Sequence, residues 1–182
     1  MTSFPELIND INSAPSISEG SYTFKAFSIG ERGTTLSPEL IREVVNGLIG
    51  RIQAGSKFDS IVSIHVTGAM WSLPVALALN KPLHLFTTEP SGISGQRQLE
   101  QKRPYLSRSI YSPDLSQVGN CILIDDVLSG GGTITQIKEA IEDAGGTVLG
   151  AFCVIDKNGK ADMLSSKLGI KVEALINMFP VQ

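Results

Sequence analysis

Residues 121–133 read Cys-Ile-Leu-Ile-Asp-Asp-Val-Leu-Ser-Gly-Gly-Gly-Thr. Cys121 to Ile124 are apolar and make a short buried strand that ends at Asp125. Two adjacent carboxylates, Asp125 and Asp126, stand at its carboxyl end. Small residues follow, and a helix is expected over Thr133–Ala144, with Ile134, Ile137 and Ile141 inward. Gly145 and Gly146 stop it. Strand, glycine-rich turn and helix in this order form one step of an α/β chain. In open α/β sheets, ligands bind outside the carboxyl ends of the strands.

The alternation extends in both directions. Upstream, the pattern predicts a short helix over Pro5–Asn12, a turn-rich connector over 13–20 and a strand over Tyr22–Ser28. Residues 38–54 read as the clearest helix. Ser37 can cap it, Pro38 suits its first position, and Glu39 faces the positive end of its dipole. Leu40, Ile41, Val44, Val45, Leu48, Ile49 and Ile52 form its apolar stripe. A strand over Ser60–Val66, a short helix over Leu73–Leu79 and a strand over Leu83–Thr87 follow. Residues 88–108 are polar and aperiodic, and Ile110 opens a short strand. A strand over Thr147–Ile155, a helix over 160–168 and a strand over Lys171–Ile176 complete the chain. Short apolar strands between helices indicate an α/β fold, with a mostly parallel central sheet flanked by helices. A length of 182 residues fits one domain, 1–182.

Charge narrows the function. Charged residues make up 18% of the chain and the net charge is −3, against a usual charged share of roughly 25%. With 42% hydrophobic residues, the chain is too apolar for disorder. It lacks the basic surplus of a nucleic-acid binder, so no nucleic-acid partner is expected. No stretch approaches the ~18 apolar residues of a membrane span, so no membrane partner is expected either. Met1 to Asp10 has acids and no base, unlike a secretory leader. Cys121 and Cys153 lie in apolar runs and read as buried thiols of a reducing, cytoplasmic setting. With only His65 and His84 besides, no protein metal site is expected.

Ser129, Gly130, Gly131, Gly132 and Thr133 suit a phosphate monoester. Glycines let backbone N–H groups approach a ligand, and the following helix offers its unpaired ones. Two acids beside a phosphate need partners of their own. Sugar hydroxyls can donate to them, and a divalent cation can screen them. A ligand with a phosphate, a ribose diol and Mg²⁺ meets all these demands. A Walker loop is absent, and in a dinucleotide fingerprint the acid would follow the glycines rather than precede them.

Asp125 to Thr133 resembles the phosphoribosyl-diphosphate signature of type I phosphoribosyltransferases, with Gly130 where Thr is usual. The chain is further similar to the archaeal hypoxanthine/guanine group, itself adenine-phosphoribosyltransferase-like. Ala14-Pro15, Gly20-Ser21-Tyr22, Ser37 to Val44, Gly92-Ile93-Ser94-Gly95, the Tyr105…Tyr111 spacing and Cys153-Val154-Ile155 carry that likeness.

The resemblance implies the type I phosphoribosyltransferase fold, with a small hood from 1–36 and 156–182. It implies a purine phosphoribosyltransferase that joins a purine base to 5-phosphoribosyl 1-diphosphate (PRPP), with Mg²⁺ carried mainly by the donor, in a homodimer. Asp125 and Asp126 would hold the ribose hydroxyls, and one would accept a proton from the base. Residues 129–133 would hold the 5′-phosphate. A loop over 67–72, with Thr67, Gly68 and Ala69, would grip the diphosphate, although the family's acid is missing there. Relatives carry basic residues where this chain has Thr87-Thr88-Glu89. The segment 88–108 corresponds to the catalytic loop, and its Lys102, Arg103 and Arg108 would meet the leaving diphosphate; a plain solvated face is the alternative. Lys157 could donate to a 6-oxo group or lie in an ordinary turn with Asp156, Asn158 and Gly159. Trp71 either packs against the next helix or offers a stacking platform, and Phe179 either stacks on the base or joins the core. A non-catalytic PRPP- or nucleotide-binding regulator and an orotate-type enzyme are the alternative functions.

Overall fold

A computed structural model describes residues 3–19, 22–30, 35–55, 57–64, 66–102 and 107–178. Its central sheet contains β3 (Ser60–Ile64), β4 (Leu83–Phe86), β7 (Asn120–Leu128), β8 (Thr147–Asp156) and β9 (Lys171–Asn177). The spatial order is β4-β3-β7-β8-β9, with every pair parallel. The order reverses between β3 and β7, so a crevice opens at their carboxyl ends. The remaining strands form small antiparallel ladders, β1 (Ser16–Glu19) with β2 (Tyr22–Lys25) and β5 (Gln98–Lys102) with β6 (Ser107–Tyr111).

Helices cover both faces because the strands are apolar on both. On one face, α1 (Pro5–Ser13), α2 (Pro38–Gln53) and α3 (Thr67–Leu79) bring Leu7, Leu48, Trp71 and Val75 onto Ile122, Ile124, Phe152 and Val154. On the other, α4 (Gly132–Asp143) and α5 (Ala161–Leu168) bring Ile137, Ile141 and Leu164 onto Cys121, Leu123, Cys153 and Val172. Successive β7 residues therefore feed opposite cores, as the two-residue period of a strand requires. Each buried Ile or Leu contributes about 2 kcal/mol. The expected α2 cap is present, with the Leu40 N–H donating to Ser37 Oγ at 3.1 Å, an interaction of about 1 kcal/mol.

Several boundaries differ from the sequence pattern because tertiary pairing carries elements past their local signals. The 13–20 connector contains β1, held by pairing with β2, which itself ends at Lys25 rather than Ser28. β7 runs through Asp125 to Leu128, because β8 continues beside it to Asp156. β3 stops at Ile64, and α3 begins at Thr67 rather than Leu73. Pro74 therefore lies inside α3, where proline usually breaks a helix. Burial of Trp71, Ser72, Val75 and Ala76 along one side holds it there. The aperiodic 88–108 stretch contains β5 and the start of β6, paired from Gln98↔Tyr111 to Lys102↔Ser107. Of the segments assigned to a hood, Lys171–Asn177 is the outer strand of the central sheet.

Cys121 and Cys153 are free and buried. Burial, with a smaller effect of Glu142, pushes the Cys121 thiol up to about 12. Cys153 is raised well above its ordinary value by burial first, then by Asp125, Asp126 and Asp156. Unfolded thiols ionise near pH ~8.5. Both folded-state values lie above that, so the folded chain keeps these protons longer. Their stabilising contribution is complete below about pH 8.5 and is lost as the pH rises toward the folded-state values. At about pH 8, a thiol reagent should label neither cysteine in the native chain and both after denaturation. Unfolding free energy should fall as the pH passes about 8.5. Rapid native labelling, or stability flat across that range, contradicts the burial.

Candidate active site

Asp125 and Asp126 lie in β7, both half-buried, at the edge of the crevice beside β3. The Asp126 N–H donates to Asp125 Oδ1 at 3.0 Å. The start of α3 presses on the same place. A Cβ on Gly68 would lie 2.6 Å from Ser63 Oγ and 3.1 Å from Asp125 Oδ1. Ser63 Oγ is itself fixed, donating to the Ile124 carbonyl at 2.6 Å. Gly68 is thus required for close packing, and any larger side chain would push α3 away from the acids.

Thr67, Gly68 and Ala69 form the first turn of α3, not the expected loop. A helix start presents unpaired backbone N–H groups where a loop would present side chains. Trp71 is buried, and its indole N–H donates to the Ile29 carbonyl at 3.2 Å. Its role is packing. That bond holds the 27–30 turn near the second acid, where a Cβ on Gly30 would lie 3.8 Å from Asp126 Oδ2. Gly30 and Ile29 had no signal in the sequence, since their importance comes from this approach alone.

The glycine run leads from β7 into α4. Ser129, Gly130 and Gly132 are exposed, Gly131 is buried and Thr133 is half-buried. Gly131 has φ +75°, a left-handed conformation that favours glycine. A Cβ there would lie 2.3 Å from Leu164 Cδ1. No side chain caps α4 at Gly131, and a helix start carries backbone donors of the kind that bind anions. Gly130 is different, with open space around its Cβ position.

On the far side, Lys157 follows β8 and is half-buried. Asp156 is fully buried, and its carboxylate accepts from the Asn158 and Ala161 N–H groups at 3.2 and 2.8 Å. Asp156 therefore shapes the turn and starts α5. Asn158 Nδ2 donates to the Ser129 carbonyl at 2.9 Å, a contact between distant residues that spacing did not reveal.

Residues 87–89 anchor the β5–β6 hairpin. Thr87 exchanges backbone hydrogen bonds with Tyr111 at 2.9 and 2.8 Å, and Thr87 Oγ1 donates to the Glu89 carbonyl at 2.6 Å. The hairpin lies along α4, with Gln136 Nε2 on the Glu100 carbonyl at 2.6 Å and Arg97 paired with Asp143 at 3.3 Å. Lys102 and Arg108 belong to its strands. Gly20, Ser21, His65, Arg103, Tyr105 and Phe179 lie outside the described residues. Among the described residues, no group of three or more His, Cys, Asp or Glu could hold a metal ion.

Residues 35–181 match the phosphoribosyl transferase domain family. The chain belongs to that family. It is 30% identical over 173 residues to a hypoxanthine/guanine phosphoribosyltransferase of Ferroglobus placidus, covering 95% of this chain and 91% of the relative. The corresponding protein of Aciduliprofundum boonei is 28% identical over 172 residues, covering 94% and 92%. Among solved structures, adenine phosphoribosyltransferase of Thermoanaerobacter pseudethanolicus superposes with a TM-score of 0.75 at 17% identity, covering 97% of this chain and 100% of that one. That likeness establishes the shared fold.

The glycine run gives a paired prediction. Gly131→Ala introduces left-handed strain and a clash with Leu164, and should cost about 2 kcal/mol of stability. Gly130→Thr meets open space and restores a hydroxyl, so it should leave stability nearly unchanged and tighten PRPP binding about fivefold. Thermal melts and calorimetry check both. Equal destabilisation by the two changes would contradict the loop geometry.

Proposed function

We propose that this phosphoribosyl transferase domain is a purine phosphoribosyltransferase that takes PRPP and a purine base to the nucleoside monophosphate and diphosphate. The observation that carries the reading is the convergence at one crevice of the two β7 carboxylates, the glycine-rich 129–133 turn and the first turn of α3. These suit a ribose diol, a 5′-phosphate and a diphosphate respectively. The names of the relatives support hypoxanthine or guanine as the base, and Lys157 is the candidate donor to its 6-oxo group. The hood reading assigns 1–36 and 156–182 to a small hood; the 27–30 turn beside Asp126 supports its N-terminal part, whereas β9 lies in the central sheet.

The donor set fits Mg²⁺ in its usual mode at phosphate sites, one or two carboxylates completed by substrate oxygens and water. The ion would be carried mainly by the donor's diphosphate, with Asp125 and Asp126 the nearby carboxylates whose charge it would screen. When bound with the donor, the ion neutralises charge on the leaving diphosphate. The chain's own residues position the reactants. The 129–133 amides fix the phosphate, and the acids fix the ribose so that its anomeric carbon faces the base. A base nitrogen forms the new bond to that carbon as the carbon–oxygen bond to diphosphate breaks, its electron pair leaving with the diphosphate. The proton lost by the base passes to Asp125 or Asp126. The α3 start, with Thr67, Gly68 and Ala69, and the cations of the 88–108 segment, Lys102, Arg103 and Arg108, stabilise the departing charge.

A cytoplasmic location fits the two free thiols. A homodimer fits Val66, Leu73 and Leu77, which are exposed at 54, 62 and 82% around an uncharged α3.

The absence of a cation at Thr87-Thr88-Glu89 favours a second reading, a non-catalytic sensor of PRPP or nucleotide. One assay separates the readings. With PRPP and Mg²⁺, hypoxanthine or guanine should give nucleotide and diphosphate. Binding without product from any purine indicates the sensor, and product from orotate alone indicates the orotate-type enzyme. Asp126→Asn should weaken PRPP binding tenfold or more, roughly the value of a hydrogen bond to a charged group. Unchanged binding removes the role given to Asp126.

A further inference from the structure

The 129–132 turn has a difficulty as a binding device. Ser129, Gly130 and Gly132 are exposed, and nothing packs at the Cβ positions of Gly130 and Gly132. Glycine-rich backbone of this kind has many conformations, and ordering it on binding weakens affinity. A turn that binds phosphate through backbone N–H groups therefore needs restraint from outside itself.

That restraint comes from the β8–α5 corner. The Lys157 N–H donates to the Leu128 carbonyl at 2.9 Å, one residue before the turn. Asn158 Nδ2 donates to the Ser129 carbonyl at 2.9 Å, within the turn. Leu164 of α5 packs beneath Gly131. The corner is itself rigid. Asp156 is fully buried and accepts from Asn158 and Ala161 N–H groups, and its carbonyl accepts from the Met178 N–H at 2.7 Å. Gly159, at φ +62°, completes the tight turn. Asn158 is thus an exposed side chain delivered by a fixed backbone to the least restrained part of the phosphate turn.

We propose that Asn158 is a positioning residue: its carboxamide holds the Ser129 carbonyl away from the ligand and so keeps the 129–132 N–H groups directed at a substrate phosphate. The inference rests on the phosphate assignment made under the proposed function. Asn158 acts through Ser129 and touches no reacting atom. Its amide is the donor, so an isosteric side chain without N–H groups fails as completely as a truncated one. Because Asn158 is exposed and the corner is fixed by Asp156, its removal disturbs the turn and leaves the fold intact.

The test uses the full chain and its Asn158→Ala and Asn158→Asp variants. Ribose 5-phosphate, titrated by calorimetry, should bind about five- to tenfold more weakly to both variants, the scale of one ordering hydrogen bond. In turnover, KM for PRPP should rise by a similar factor while kcat and KM for the base stay within about twofold. Melting temperatures should move by less than about 2 °C. Backbone order parameters at Gly130 and Gly132, measured without ligand, should fall in both variants. Wild-type binding of ribose 5-phosphate with unchanged affinity in Asn158→Ala, or full affinity in Asn158→Asp, overturns the inference and leaves the functional reading standing. A wild-type chain that binds no ribose 5-phosphate overturns that reading, and unchanged order parameters then overturn the positioning role as well.

Discussion

β7 is the middle strand of the sheet, bonded to β3 on one side and β8 on the other, and this double pairing constrains everything around it. A middle strand has no solvent edge. Cys121 to Ile124 must be apolar on alternate faces, and both faces must be covered by helices. Charge can enter only where the strand emerges from between its neighbours. Asp125 and Asp126 stand at that point. Their position follows from the pairing, because β3 ends at Ile64 while β8 continues to Asp156. The step between long and short neighbours leaves the acids backed by β8 on one flank and met by the start of α3 on the other.

Three loops or helix starts converge there, each fixed by a different force. Gly68 lets α3 close onto Asp125, so steric fit sets the α3 side. Leu164 beneath Gly131 and Asn158 on Ser129 set the glycine turn by packing and a hydrogen bond. Trp71, buried and bonded to Ile29, sets the 27–30 turn. The low global charge of the chain suits the proposed recognition, by backbone N–H groups and paired acids in one crevice rather than by a field spread over the surface.

The fold class was legible in the sequence because buried parallel strands announce themselves as short apolar runs, and because Ser37-Pro38-Glu39 and Gly145-Gly146 mark helix ends locally. The step from β7 through the glycine turn into α4 was legible for a similar reason, since it sits in consecutive residues. What was not legible depends on partners distant in sequence. The local pattern starts a helix at Leu73, yet the packing of Trp71 and Val75 extends α3 back to Thr67. Gln98 to Lys102 shows little strand character alone and becomes a strand by pairing with Ser107 to Tyr111. Asp156 looked like part of an exposed turn, but it is a buried carboxylate that organises one. Asn158 and Gly30 matter only through a single approach each.

The most direct test of the account is a crystal structure of the chain with PRPP and Mg²⁺. The account places the 5′-phosphate on the N–H groups of residues 129–133, the ribose hydroxyls on Asp125 and Asp126, and the diphosphate at the start of α3. Donor bound with its phosphate elsewhere, or with the acids turned away from the ribose, would contradict it.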